Sequence, residues 1–301
     1  MELTQLRYVL AIAETGNFTR ASEAANVAQP SLSQQVGKLE KELGHKLFHR
    51  LGRRAVPTEA GNLFIERARR ILFEIDNVSS EIRDNSLLDR SISVGAIPTV
   101  APYILPALIK RCQQQLPNLR INTSEAFRAD LLRDVRQGRL DMAILAQPVD
   151  EPQLATESMF TESLVLAVGR KHRLATKRRF SVGDLAEETF IMLGESSSLT
   201  QQIQQFCGAN KIQPHIGHTC AQVSMLKELV GLSLGVAILP QLAQSAEDRD
   251  TLIYRRLTGK TPTREIAVVR HLQRYQTTGA AQFLGLLRET FSHIERPITE
   301  S

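Results

Sequence analysis

No apolar run in these 301 residues approaches the ~18 residues that cross a membrane core. The N-terminus also lacks the basic-then-apolar design of a signal peptide. A cytoplasmic location without a membrane partner is therefore expected. Cysteine is scarce: Cys112, Cys207 and Cys220 are an odd number without metal-ligand spacing, which suits a reducing compartment. The chain has no HExxH, no CxxC pair and no phosphate-cradling glycine loop. Of its seven histidines His215 and His218 lie closest together, and they lack nearby acidic or thiol partners of metal-ligand spacing. These absences argue against an enzyme on an α/β scaffold, and no metal or other cofactor is expected. They leave room for a binding protein.

What is present begins with Phe18 to Leu43. Phe18, Ala21, Ala24 and Ala25 lie three or four apart, giving one buried face of a short helix. Asn26 and Gln29–Pro30 break the pattern, and Pro30 suits the first turn of a second helix. Leu32, Val36, Leu39 and Leu43 then form a second apolar stripe. The opposite side carries Pro30, Gln34, Lys38 and Lys41, flanked by Ser31, Ser33 and Gln35. Amides can pair base edges, hydroxyls can contact bases or phosphates, and lysines neutralise phosphate, so this side suits a DNA groove. An ordinary solvated helix pair is the plain alternative. The formal net charge of +5 permits a polyanionic partner without requiring one.

A first helix is expected from Leu3, Leu6, Leu10 and Ala13, with Thr4 as a possible cap and Gly16 as its stop. Packed under the other two, it completes a three-helix core. Between Gly44 and Thr58 stand Lys46, Arg50, Arg53 and Arg54 and no acidic residue. Leu47, Phe48, Leu51 and Val56 flank the Gly52 turn like a short hairpin. Beside a helix-turn-helix, a basic hairpin reads as a wing reaching phosphates or a minor groove. Thr58 then caps a long helix in which Phe64, Ala68, Ile71, Ile75, Val78 and Ile82 are spaced 4, 3, 4, 3 and 4. This 3.5-residue average is a coiled-coil seam, and it predicts dimerisation. Residues 85–90 read as a hinge.

From Ser91 the pattern becomes short β runs alternating with helices, which argues an α/β fold with largely parallel sheets. The expected strands are 91–97, 119–125, 140–146, 163–169, 190–193, 235–240 and 265–270. Helices are expected at 103–115, 129–137, 199–210, 222–232 and 279–294. So many elements suggest two lobes, with a ligand cleft between them. A pure solute-binding protein fits less well, because of the N-terminal helices and the missing leader.

The residues 18–50, the PTEAG that opens the long helix, the IPT turn at 97–99, GRLDMAIL at 138–145 and GLSLGVAILP at 231–240 closely resemble the LysR-type transcriptional regulators, over essentially the whole chain. The resemblance implies a winged helix-turn-helix at 1–58 and a linker or dimerisation helix and hinge at 59–90. It also implies an effector-binding domain of periplasmic-binding-protein type at 91–301, with lobe I at 91–162 and 268–301 and lobe II at 163–267. Such regulators bind promoter DNA as a dimer of dimers, contact RNA polymerase and respond to a small molecule between the lobes.

Carried over by position, Gln29, Pro30, Ser31, Ser33 and Gln34 match the recognition helix, and Arg53 matches the minor-groove arginine of the wing. Gln29 and Gln34 are the expected base readers; Ser31, Ser33 and Lys38 are expected on phosphates, with Arg50 and Arg54 beside them. Thr99 matches a position that commonly holds an acidic effector, although it could simply be a turn residue. Ser196, Ser197, Ser198 and Gln222 are expected to face it. Arg128 would favour a carboxylate, sulfate or phosphate, or else form a salt bridge at the rim. The segment 193–207 resembles the redox loop of the peroxide-sensing OxyR branch. There Cys207 takes the place of the resolving cysteine, while Ser198 stands at the peroxidatic position and cannot form a sulfenic acid. A Cys207–Cys220 bridge and buried structural thiols both remain open at this level.

Overall fold

A computed structural model of the chain describes residues 1–84, 90–177, 180–257 and 261–291. Most of the expected hinge and the end of the last expected helix lie outside the described residues. The chain packs as two units that divide between Asn85 and Ser86.

The first unit contains α1 (Leu3–Thr15), α2 (Phe18–Ala24), α3 (Gln29–Leu43), β1 (Phe48–Leu51), β2 (Arg54–Pro57) and α4 (Glu59–Asp84). Helix α1 starts two residues earlier than a Thr4 cap would place it, with Glu2 as the cap, and the Glu2 N–H donates to the Gln5 side chain at 2.8 Å. Its buried stripe is Leu6, Val9 and Ile12, with Leu3 left exposed. Gly16, at φ +62°, closes the helix in the left-handed conformation that glycine adopts without steric cost. In α2, Ala21 and Ser22 are the buried residues, and Ala24 faces solvent instead of the core. The α2–α3 turn passes through Asn26 at φ +53°, a conformation that asparagine tolerates better than most residues. Leu32, Val36 and Leu39 of α3 join Val9, Ile12 and Ala21 in one core, which Phe48, Ala55 and Ile65 extend.

The Thr58 hydroxyl accepts the Gly61 N–H at 2.9 Å and so caps α4. Gly61 is required by close approach, because a Cβ there would stand 2.0 Å from the Leu47 carbonyl oxygen. Along the predicted seam Ala68 is buried and Phe64 and Ile75 are half-buried. Ile71, Val78 and Ile82 are 41%, 49% and 68% exposed, so the distal half of the stripe lies uncovered.

The second unit contains β3 (Arg90–Ala96), α5 (Ala101–Gln115), β4 (Leu119–Glu125), α6 (Arg128–Arg136), β5 (Met142–Ala146), β6 (Leu154–Gly169), β7 (Thr189–Leu193), α7 (Ser198–Ala209), β8 (His215–Cys220), α8 (Val223–Gly231), β9 (Ala237–Pro240), β10 (Leu252–Arg255), β11 (Thr263–His271) and α9 (Thr278–Phe291). The main sheet runs β10-β6-β11-β5-β3-β4, with β9 also on β6, while β7 and β8 pair separately. Pairing is mixed, not largely parallel. β3 is parallel to β4 and β5, and β7 to β8, but β6 and β11 run antiparallel to each other and to their other neighbours.

The reason lies in the two-lobed build. One core gathers Phe160 and Ile266 with β3, β5, α5 and α9. A second gathers Leu164 and Leu257 with β7, β9, α7 and α8. Strand β6 carries the chain out of the first lobe and β11 brings it back, so the two crossovers must run in opposite directions. Strands β8 and β10 have no counterpart among the expected strands, and β6 begins nine residues before its expected start.

Candidate functional site

On the first unit, α3 turns Leu32, Val36, Leu39 and Glu40 inward. Its period of 3.6 residues therefore turns Pro30, Ser31, Gln34 and Lys38 outward, and all four are exposed; Gln29 and Ser33 are half-buried at its edge. Among the described residues the Gln34 and Lys38 side chains make no hydrogen bond or ion pair. Gln35, by contrast, is held from the core side, where the Gln5 amide donates to its carbonyl and side-chain oxygens at 3.3 Å.

The wing is a two-stranded hairpin with Phe48 opposite Pro57 and Leu51 opposite Arg54. Gly52, at φ +60°, opens its two-residue turn, where the tight reversal calls for glycine, and Arg53 stands at the tip. The buried Glu40 carboxylate accepts the Leu47 N–H at 2.9 Å and the Lys46 ammonium at 2.8 Å, tying the root of the wing to α3. Asn17 caps α2 by accepting the Thr19 and Arg20 N–H groups, and its amide donates to the Arg53 carbonyl at 2.6 Å. Sequence reasoning missed Glu40 and Asn17. A helix start after Gly16 was their nearest signal, but the partners lie 7 and 36 residues away. Arg50 rests its guanidinium 4.3 Å from the Phe18 ring centroid, while Arg53 and Arg54 are exposed.

In the second unit a cavity of about 290 Å³ opens between the lobes. Thr99, Arg128, Ser196, Ser197 and Ser198 all line it, beside Ile97, Phe127, Leu193 and Cys220. Gln222 does not. The backbone is extended at Gln222 (φ −130°, ψ 149°), and the alternation of extended chain turns Ala221 inward and Gln222 out to solvent.

Four helices begin at this cavity. Thr99 precedes α5, Phe127 and Arg128 open α6, Ser197 and Ser198 open α7, and Ala221 precedes α8. Each N-terminus carries about half a positive charge, and Arg128 adds a full one. Helix α5, however, offers no free first-turn N–H, because Val100 and Ala101 donate to the Ile97 carbonyl, Pro102 has no N–H and Tyr103 donates to the Val100 carbonyl. The Arg128 guanidinium donates to the carbonyls of Ala146 and Pro148, where a rim salt bridge was the alternative expectation. Partial burial lowers its pKa from the ordinary value, with Glu151 opposing. No acidic residue is among the lining side chains. Ser197 is 6% exposed, and among the described residues its hydroxyl has no hydrogen-bond partner.

Behind the cavity lies a buried clamp. Arg264 and Glu162 face each other in register where β11 and β6 cross between lobes. The Arg264 Nε donates to Glu162 Oε1 at 2.8 Å, its Nη1 to the Thr99 hydroxyl at 2.8 Å, and its Nη2 to the Thr99 carbonyl at 2.9 Å. Glu162 Oε2 accepts the Leu242 N–H of the second lobe at 3.0 Å. Burial lowers the Arg264 pKa, and the Glu162 carboxylate opposes that shift. With its oxygen engaged as an acceptor, Thr99 keeps its hydroxyl proton to donate. Glu162 and Arg264 are 102 residues apart, and nothing in the sequence pairs them.

All three cysteines are free and buried. Burial pushes the Cys207 thiol up to about 11 and raises Cys112 and Cys220 as well, the reverse of what a reactive thiol needs. Among the described residues no His, Cys, Asp and Glu cluster could hold a metal ion, and no helix is long and apolar enough to cross a membrane.

Residues 3–62 match the family model of the bacterial regulatory helix-turn-helix protein, lysR family. Residues 85–292 match the LysR substrate binding domain. A hydrogen peroxide-inducible genes activator of Pectobacterium carotovorum is 33% identical over 272 residues, covering 89% of this chain and 90% of that one. The DNA-binding transcriptional dual regulator OxyR of Escherichia coli K12 is 32% identical over the same length, with 89% of each chain covered. Among solved structures, a full-length OxyR variant from Pseudomonas aeruginosa superposes with a TM-score of 0.73 at 26% identity, covering 97% of this chain and 98% of that one. CbnR bound to its target DNA shares the fold, with a TM-score of 0.65 at 22% identity, over 96% of this chain and all of CbnR.

Proposed function

This chain belongs to the LysR family of DNA-binding transcriptional regulators, with an effector-binding domain, and from that premise we propose that it reads promoter DNA as a dimer of dimers and answers to a small anion held between its lobes. The carrying observation is the cavity onto which four helix N-termini and Arg128 converge, with a Ser197 hydroxyl that has no hydrogen-bond partner among the described residues and no carboxylate among the lining residues. Such a site stabilises negative charge through fixed dipoles and N–H donors. Thr99, Arg128, Ser196, Ser197 and Ser198 are assigned to the effector. A volume of about 290 Å³ suits a molecule of modest size.

Gln29 and Gln34 are assigned to bases. Pro30, Ser31, Ser33, Lys38, Arg50 and Arg54 are assigned to the flanking backbone, and Arg53 to the minor groove. Phe64, Ala68, Ile71, Ile75, Val78 and Ile82 are assigned to the dimer seam, within a division at 1–58, 59–90 and 91–301. RNA polymerase is the proposed protein partner and the cytoplasm the proposed location. The relatives' names tie them to hydrogen peroxide, but Ser198 and the raised thiols of this chain favour a bound anion over thiol oxidation.

Binding to the chain's own upstream promoter fragment tests the assignment. The logarithm of affinity should fall steeply with the logarithm of salt. Gln34→Ala should relax sequence preference by about 1–3 kcal/mol, whereas Arg53→Ala should weaken all sequences evenly and lower the salt slope by about one. Salt-insensitive binding, or the reverse pattern for the two variants, would refute it.

A further inference from the structure

The hairpin's two faces differ in a way that the arginine wing alone does not explain. Phe48 and Arg50 point inward: Phe48 stacks edge-on to Phe18 with centroids 6.0 Å apart, and Arg50 lies over the same ring. Strand alternation and register therefore put His49, Leu51, Arg54 and Val56 together on the outer face. Two of these are apolar and bare. Leu51 is 63% exposed and Val56 43% exposed, although the ordinary economy of a short surface hairpin would place polar groups there. The face is also held still, because the Arg53 carbonyl is tied to Asn17, and Ala55 donates its N–H to the Gly16 carbonyl at 2.8 Å. An apolar patch on a rigid hairpin suggests something that covers it.

We propose that DNA covers it: Leu51, supported by Val56, packs against the deoxyribose wall of the groove that Arg53 enters. Charge complementarity selects this occupant. Arg54 shares the outer face with the patch and Arg53 stands at the adjoining tip, both exposed, and no acidic residue lies between Gly44 and Thr58. An apolar centre beside cationic side chains matches a groove wall, where sugar C–H groups lie between phosphates. Leu51 then adds affinity by excluding water, without releasing a counterion. The inference rests on the assignment of Arg53 to the minor groove.

The two contributions separate in one experiment, which measures affinity of the full chain for a 40-base-pair A·T-rich duplex across a salt series. Leu51→Ser should lower affinity about tenfold at every salt concentration, as for an apolar side chain of this size, and leave the log–log slope unchanged. Arg53→Ala should lower both affinity and slope. Thermal unfolding and sedimentation of Leu51→Ser, whose side chain is mostly exposed, should match wild type. Unaltered affinity in Leu51→Ser beside a reduced slope in Arg53→Ala overturns the apolar contact alone. No effect from either variant overturns both assignments. A change in oligomeric state with intrinsic DNA affinity preserved would assign the patch to a second copy of the chain and overturn the proposal as well.

Discussion

Single side chains carry the most exposed parts of this account. His271 is 7% exposed, and its Nδ1 accepts the Gln273 N–H at 3.1 Å, which requires the neutral ring. Burial, then Arg274, lower its pKa below the ordinary value. The unfolded state therefore binds a proton that the folded state refuses, and stability rises with pH through that window. The His271 contribution is complete above the unfolded pKa of about 6.5 and declines as pH falls below it. In thermal unfolding from pH 7.5 to 5.5, wild type should lose more Tm than His271→Gln; equal losses would contradict the assignment. The Arg264–Glu162 clamp gives a second residue-scale prediction. Arg264→Met strands a buried carboxylate and should cost about 3–5 kcal/mol by denaturant unfolding. Arg264→Met/Glu162→Leu should cost less than either single change, and additive losses would rule out the coupling. The sequence disclosed Thr99 and Arg128 by position but not the clamp, because a partner 102 residues away leaves no local pattern.

Elements were legible where one face alone is buried. Helix α3 shows its stripe plainly, whereas β4 has no buried residue and matches its expected bounds through the alternation of half-buried Leu119 and Ile121 with exposed Arg120 and Asn122. The first half of β6 was missed although it alternates, because its apolar positions are sparse. β8 was missed because five of its six residues are exposed and only one of those, Ile216, is a large apolar side chain, too little to show an alternation. Antiparallel pairing also escaped notice: it follows from one strand leaving a lobe and another returning, a long-range fact. The seam of α4 was visible as a 3.5-residue period, and its distal half is bare in the single chain. Val78→Asp should therefore leave the monomer's fold intact and shift sedimentation from dimer towards monomer. Operator affinity should drop at least tenfold, since two half-sites no longer bind together. A variant that stays dimeric and binds as wild type would remove α4 from the assembly.

At the scale of the molecule, a helix-turn-helix unit and an effector-binding unit divide the labour: in the proposed function α3 and the wing decide where the protein binds, and the cavity decides when. The reading head was legible because its polar face is local in sequence. The cavity's lining was only half legible, since it draws on four helix starts scattered from residue 97 to 221. The most direct test asks whether that cavity holds an anion. Thermal unfolding of the full chain would be measured with sulfate, phosphate and benzoate, against chloride and neutral benzyl alcohol. The same series would be run on Ser197→Asp, which introduces a residue type favoured at a helix N-cap and places a carboxylate in the cavity. At least one anion should raise the wild-type Tm well beyond its effect on Ser197→Asp, with benzyl alcohol shifting neither. Equal shifts in both proteins, or a neutral molecule as effective as its anion, would contradict the account.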